Sequence, residues 1–207
     1  MMRNIGMTGG ISSGKNQVAE IFNQLGFYTI DSDVSCRKVM EKGEPAYEKI
    51  VSFFGKDILD ENGSILRKKL GEIVFSNKEK LKKLESIVHP AIMQYEKKER
   101  SKIYGKNDKA VVVTHAALII ENGSCNQYDA LIVVTCSYDI QIARVMQRDN
   151  ISEEKAKNII SHQMPNVERL KYADFIIDNS SNLDDLYKEV KRIHNLITQI
   201  NYGEKHN

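Results

Sequence analysis

The chain has no apolar run approaching the roughly 20 residues that a membrane-spanning helix needs, which argues against an integral helical membrane protein. Its opening, "MMRNIGMTGG", has neither a long apolar stretch nor a cleavage-type site. Cysteine is scarce. Cys36, Cys125 and Cys136 are odd in number and form no C-x-x-C pair, so neither a disulfide framework nor a zinc cage is expected. A reducing compartment follows, and the expected location is the cytoplasm. Charge of one sign is also missing. Lys plus Arg number 30 against 28 Asp plus Glu, and a net charge of +2 gives no footprint for nucleic acid. There are no internal repeats and no low-complexity linkers, and nothing in the sequence specifies an oligomeric state.

What is present is enough for one large domain, or a core with insertions. The chain has 207 residues, 41% of them hydrophobic. Its ends alternate between strand and helix patterns. "NIGMT" (Asn4 to Thr8), "FYTID" (Phe27 to Asp31), "AVVVT" (Ala110 to Thr114), "ALIVVTC" (Ala130 to Cys136) and "DFIID" (Asp174 to Asp178) read as strands. Between the first two, Val18, Ile21, Phe22 and Leu25 recur at helical spacing, and Gly26 ends that helix. Continuous apolar strands separated by helices imply a parallel sheet covered on both faces. Cys136, at the end of such a run, belongs to the core.

The middle of the chain is charged and helical, and reads as an insertion between two sheet strands. Phe53, Phe54 and Gly55 mark a helix end, and "DENGS" (Asp60 to Ser64) is a turn. Ser76 and Glu79 have the spacing of a capping box opening a long helix, and Pro90 predicts a kink or break in it. A second helical excursion, Ser137 to Pro165, carries Arg144 and Arg148 four apart on one face.

The chemistry begins at "TGGISSGKNQ" (Thr8 to Gln17). Gly9 and Gly14 enclose four residues, Lys15 follows, and the segment lies between a strand and a helix. That is the setting of a phosphate-binding loop, in which backbone amides and a helix N-terminus face an anion. Asn16 occupies the place where Ser or Thr ordinarily ligates Mg²⁺. Its amide carbonyl is also a hard oxygen ligand, so metal use is expected to persist. Asp31 and Asp33 close the second strand, where ligands gather in parallel sheets. If the strand runs through Asp33, both carboxylates point the same way, one toward a metal and one toward an attacking hydroxyl. The alternative is that one of them simply caps the following helix. Either arginine alone reads as part of a solvated face. The pair, followed by "QMP", reads as a lid bringing guanidinium groups to phosphate. His89 either touches a substrate or ends a helical turn, and His115 closes an apolar strand within reach of the cleft. His162, His194 and His206 have no metal-type partners in the sequence.

These segments together resemble the dephospho-coenzyme A kinase family. "IGMTGGISSGK", "TIDSDVSCR", "GKDILDENGSILRKKLGEIVF", "IVHPAI", "ALIIENG", "QRDNISEEKAKNIISHQMP" and "ADFIIDNSSNL" match its elements in order over nearly the whole chain. The resemblance implies an α/β, three-layer P-loop kinase fold with a parallel sheet, a helical substrate-binding insertion and a helical lid. The expected nucleotide-binding core is 1–32, 106–136 and 166–207, the acceptor-binding insertion 33–105, and the lid 137–165. The implied reaction transfers the γ-phosphate of ATP, with Mg²⁺, to the ribose 3′-hydroxyl of dephospho-coenzyme A, the last step of coenzyme A synthesis. Gly9, Gly10, Ile11, Ser12, Ser13, Gly14, Lys15, Asn16 and Gln17 would hold ATP, with Asn179 beside the adenine. Asn16 and Asp31 would hold the metal. Asp33 matches the proposed base, Arg148 the lid arginine, and Arg144 a second. Arg37, His89 and Ala117, with Asp33, fall in the acceptor region. The sequence departs from the family at Asn16 and Gln17, where Ser and Thr are usual, and at Ala117, where Pro is usual. His115 and Ala116 also stand where apolar residues are common. Two rivals remain: another small-molecule or nucleotide kinase on the same core, and an ATP-binding protein that has lost catalysis through Asn16.

Overall fold

The computed structural model describes residues 2–202. In chain order the elements are β1 (Asn4–Gly9), α1 (Lys15–Gln24), β2 (Tyr28–Asp31), α2 (Ser32–Val39), α3 (Pro45–Phe54), α4 (Arg67–Phe75), α5 (Lys78–Lys106), β3 (Val112–His115), β4 (Ala130–Thr135), α6 (Tyr138–Asp149), α7 (Glu153–Ser161), α8 (Asn166–Leu170), β5 (Phe175–Asp178) and α9 (Leu183–Tyr202). The chain divides into two compact units. One runs from Asp31 to Lys106. The other comprises the described residues up to Ile30 and from Asn107 onward. Residues 203–207 of the expected core, His206 among them, lie outside the described residues.

The flanking unit is built on a five-stranded sheet of order β2-β3-β1-β4-β5. Burial follows that order. The three inner strands β3, β1 and β4 are almost wholly buried, whereas β2 and β5 at the edges are partly exposed. β1 pairs in parallel with β3 and with β4, and β4 with β5. Continuous apolar runs form the inner strands because both faces of a parallel sheet are covered. Alternation assigns the faces. Ile132 and Val134 of β4 pack with Val18, Phe22, Val190 and Ile197 of α1 and α9. Leu131 and Val133 point the other way, onto Ile119, Ile120 and Leu170. The architecture is therefore three-layered, helix on sheet on helix. Each fully buried side chain of this kind, such as Phe22, contributes about 1.5–3 kcal/mol. Among the described residues, no helix is long and apolar enough to cross a membrane.

The other unit is helical. Val39, Ala46, Ile50, Ile58, Leu70, Val74 and Val88 form its core, with α5 as the longest element. Gly55, at φ 85°, ends α3 as expected, and Asp60 to Ser64 form the expected turn. Two expectations at α5 are revised. Asn77, not Ser76, caps it: Asn77 Oδ1 accepts from the amides of Glu79 and Lys80, both at 3.0 Å. Ser76 instead closes α4, its hydroxyl donating back to Glu72 and Ile73 carbonyls. Of the kink or break expected at Pro90, the break is excluded: the helix runs through it from Lys78 to Lys106. The proline removes one amide donor and crowds the carbonyl four residues earlier, at a cost of about 3 kcal/mol. Val88 on one side of it and Ala91 and Ile92 on the other remain seated in one apolar cluster, which outweighs that loss.

Candidate active site

The loop between β1 and α1 has a conformation its sequence explains residue by residue. Ser12 and Gly14 are both left-handed, at φ 56° and 95°. Alternating signs of φ curl successive amides toward one side, a shape that receives anions. A Cβ on Gly14 would strike the Asn179 side-chain nitrogen, and one on Gly9 would strike the Val134 carbonyl. Gly14 is therefore required by backbone angle as well as by close approach, and Gly9 by close approach alone. α1 then starts without a side-chain cap and with no acid in its first turn, so its positive end faces no built-in anion. Lys15 folds back over the loop, its ammonium donating to the carbonyls of Gly9 at 2.8 Å and Gly10 at 3.2 Å. Asn16 and Gln17 are exposed on the first turn.

Asn179 meets this loop from the far end of the unit, with Arg144 beside it. Asn179, after β5, is 2% exposed and donates from Nδ2 to the Ser13 carbonyl at 2.9 Å. Its Oδ1 lies 3.5 Å from Arg144 Nη2, within donating reach. Arg144 Nη1 is buried without a hydrogen-bond partner, as is Ser13 Oγ. Arg148 is exposed and forms a two-pronged pair with Asp149, at 2.8 and 2.7 Å. The two arginines therefore differ in setting: one is partly buried beside the loop, the other lies on the surface. Ala117 is held beside β1, its carbonyl accepting from Thr8 Oγ1 at 3.2 Å, and His115 is buried at the end of β3. All three cysteines are free, and burial pushes each thiol up from its usual range.

In the helical unit, the strand does not run through Asp33. β2 stops at Asp31 and Ser32 begins α2, so strand alternation does not orient the two carboxylates. The reason is local. Asp31 Oδ1 accepts from the amides of Asp33, at 2.8 Å, and Val34, at 3.3 Å, which caps the helix and turns the chain out of the strand. Asp33 is exposed on the first turn. Behind that turn lies Glu96 of α5, buried and accepting from Ser32 Oγ at 2.7 Å. Burial raises its pKa, opposed by the Ser32 bond and by Arg100, 3.8 Å away. Arg37 is exposed in the last turn of α2, and His89 is exposed midway along α5.

Among the described residues, no group of three or more His, Cys, Asp or Glu is arranged to hold a metal. Mg²⁺ needs no such cage when substrate phosphates supply most of its ligands. By donor type, each residue expected to hold it fits that mode within its own unit. The Asn16 side chain is exposed, and Asp31 commits only Oδ1 to capping.

The family model for dephospho-CoA kinase matches residues 3–185. The chain belongs to the dephospho-CoA kinase family. It is 45% identical to the dephospho-CoA kinase of Fusobacterium nucleatum over 91% of this chain and 95% of that one. It is 42% identical to that of Aquifex aeolicus, over 96% and 99%. The solved dephospho-CoA kinase from Campylobacter jejuni superposes with a TM-score of 0.69 at 37% identity, covering 96% and 97%. The fold is that of the P-loop kinases, and the chain is a transferase that uses ATP. In the structure the "ALIIENG" segment has a partner that the sequence did not announce. Glu121 there pairs at 2.8 Å with Arg169, whose side chain is 1% exposed. Arg169 sits in a charged stretch, "NVERLKY", where nothing in the pattern separates a buried arginine from a solvated one.

Proposed function

We propose a division of labour for the phosphorylation of dephospho-CoA by ATP, the reaction of this family. The loop from Gly9 to Gln17 receives the ATP phosphates on its amides, and Lys15 moves from the Gly9 and Gly10 carbonyls onto the outer phosphates. Arg144 and Asn179 serve the nucleoside side. The Arg144 Nη1 without a protein acceptor is the observation that supports this assignment, because a buried guanidinium nitrogen left over beside the loop has a hydrogen bond to give to a polar ligand. Arg148 serves the transferring phosphate. Its present partner is an exposed neighbouring carboxylate, and such surface pairs are worth about 0–1 kcal/mol, so exchange for phosphate oxygens is favourable.

Asp33 accepts the proton of the ribose 3′-hydroxyl as that oxygen attacks the γ-phosphorus. Its place on the first turn of α2 is set by the Asp31 cap. Arg37, His89 and Ala117 contact the acceptor, and residues 33–105 form its binding domain. Residues 137–165 act as the lid that keeps water from the phosphoryl group. Asn16 and Asp31 would hold Mg²⁺, which would supply positive charge to the phosphates. The protein works in the cytoplasm on these small molecules, with no nucleic-acid partner.

A coupled assay with ATP, Mg²⁺ and dephospho-CoA tests the whole, with the product phosphate located on the ribose by phosphorus NMR. Nucleoside monophosphates and shikimate serve as rival acceptors. Preference for either rival refutes the acceptor assignment. Asp33→Asn is expected to bind ATP nearly as before and to lower kcat by a factor of about 10² or more. Unchanged kcat removes Asp33 as the base.

A further inference from the structure

The tip of the phosphate loop is held from outside by two side chains of the helical segment that follows β4. Gln141 of α6 is 3% exposed and donates from Nε2 to the Ile11 carbonyl at 2.9 Å. Gln163, after α7, accepts the Ile11 amide on Oε1 at 2.7 Å. The Ile11 side chain packs into the cluster of Ile142, Val145 and Ala156 that joins α6 to α7. Gly10 makes the approach possible, since a Cβ there would sit 2.7 Å from Gln141 Nε2. One residue thus has its donor, its acceptor and its side chain all engaged by a segment more than a hundred positions away.

We propose that Gln141 and Gln163 are positioning residues for phosphoryl transfer, setting the direction of loop amides that neither of them touches. The inference rests on residues 9–17 being the ATP phosphate loop. The physical link is the planar trans peptide, in which C=O and N–H point in opposite directions. The described peptides are all trans. Fixing the Ile11 carbonyl toward Gln141 turns the Ser12 N–H to the opposite side, and Ser12 is the residue held left-handed at φ 56°. Fixing the Ile11 amide toward Gln163 likewise directs the Gly10 carbonyl away from it, toward the Ser13 amide and the Lys15 ammonium, each at 3.2 Å. The orientation of the Ser12 amide and the resting place of Lys15 therefore both depend on the α6–α7 segment being seated. Displacing that segment withdraws the two glutamines together and releases the loop.

The two positions require opposite hydrogen-bonding roles, and this makes a test that charge alone cannot mimic. Gln163→Glu keeps an acceptor facing the Ile11 amide. Gln141→Glu sets a carboxylate against the Ile11 carbonyl. Both add one negative charge beside the same residue. ATP dissociation constants are measured by titration calorimetry on the full chain, with kcat and both KM values from the coupled assay and melting temperature as a check on folding. Gln141→Glu is expected to weaken ATP binding about tenfold more than Gln163→Glu, a difference of about 1.4 kcal/mol. The KM for dephospho-CoA stays within about twofold in both, because the effect is confined to the loop. Gln141→Met and Gln163→Met, which remove both roles, should weaken ATP binding to similar extents. Equal losses in the two Glu variants overturn the inference, as does a fall in kcat with both KM values unchanged, which is the signature of a smaller folded fraction. If the unmodified chain binds no ATP, the loop assignment fails and this inference with it.

Discussion

Replacing Gly14 by alanine tests the loop geometry at its most crowded point. Gly14 is at φ 95°, where an L side chain costs about 1–2 kcal/mol. The added Cβ also falls within contact distance of Asn179 Nδ2. Asn179 is buried, and its amide can move aside only by giving up its 2.9 Å bond to the Ser13 carbonyl. A buried amide left unsatisfied costs about 1–3 kcal/mol. The expected destabilisation is therefore about 2–5 kcal/mol, and weakened ATP binding should accompany it because Ser13 and Gly14 lie in the loop. A double-mutant cycle separates the two causes. With Asn179→Ala already in place the collision disappears and only the backbone strain remains. The cost of Gly14→Ala should then fall to about 1–2 kcal/mol, giving a coupling of about 1–3 kcal/mol between the two sites. Urea unfolding of the four proteins measures it. Additivity to within about 0.5 kcal/mol would refute the claim that Asn179 is what excludes a side chain at residue 14.

Asn16→Ser should retain activity and lower the Mg²⁺ concentration for half-maximal rate; a collapse of activity would show a loop adapted to Asn. Asn77→Ala should cost about 1 kcal/mol of stability and Ser76→Ala at most about half that, because only the former caps α5; the reverse ranking in urea melts would restore the sequence-based assignment. Burial raises the folded-state pKa of Glu96 above its unfolded value, so between the two values the folded chain binds the extra proton and stability falls as pH rises. Glu96→Gln keeps an acceptor for Ser32 and removes that dependence. Its stability relative to the unmodified chain should therefore climb with pH through that range and then level off. A difference independent of pH would contradict a buried, titrating Glu96.

Much of this protein is determined by the chain read in order. The inner strands announce themselves as uninterrupted apolar runs because a parallel sheet buries both faces, and the spacing of Gly9, Gly14 and Lys15 announces the loop because only that pattern curls amides inward. The helical character of the middle was equally plain, since charge alternates there with apolar residues at helical spacing. The folded structure decided the rest, partly through which side chain captured nearby amides and partly through which distant group arrived. It ended β2 at Asp31, where the side chain found two amides to cap. It moved the α5 cap from Ser76 to Asn77, and it carried a helix through Pro90 because the apolar face on both sides stayed buried. It also separated Arg144, packed beside Asn179, from Arg148, exposed on the same helix four residues later. The glutamines that hold Ile11 lie 130 and 152 positions from it, and no local pattern marks them. A hydrogen bond between side chain and backbone across such a separation is chosen by packing, so it becomes visible only once the chain has folded.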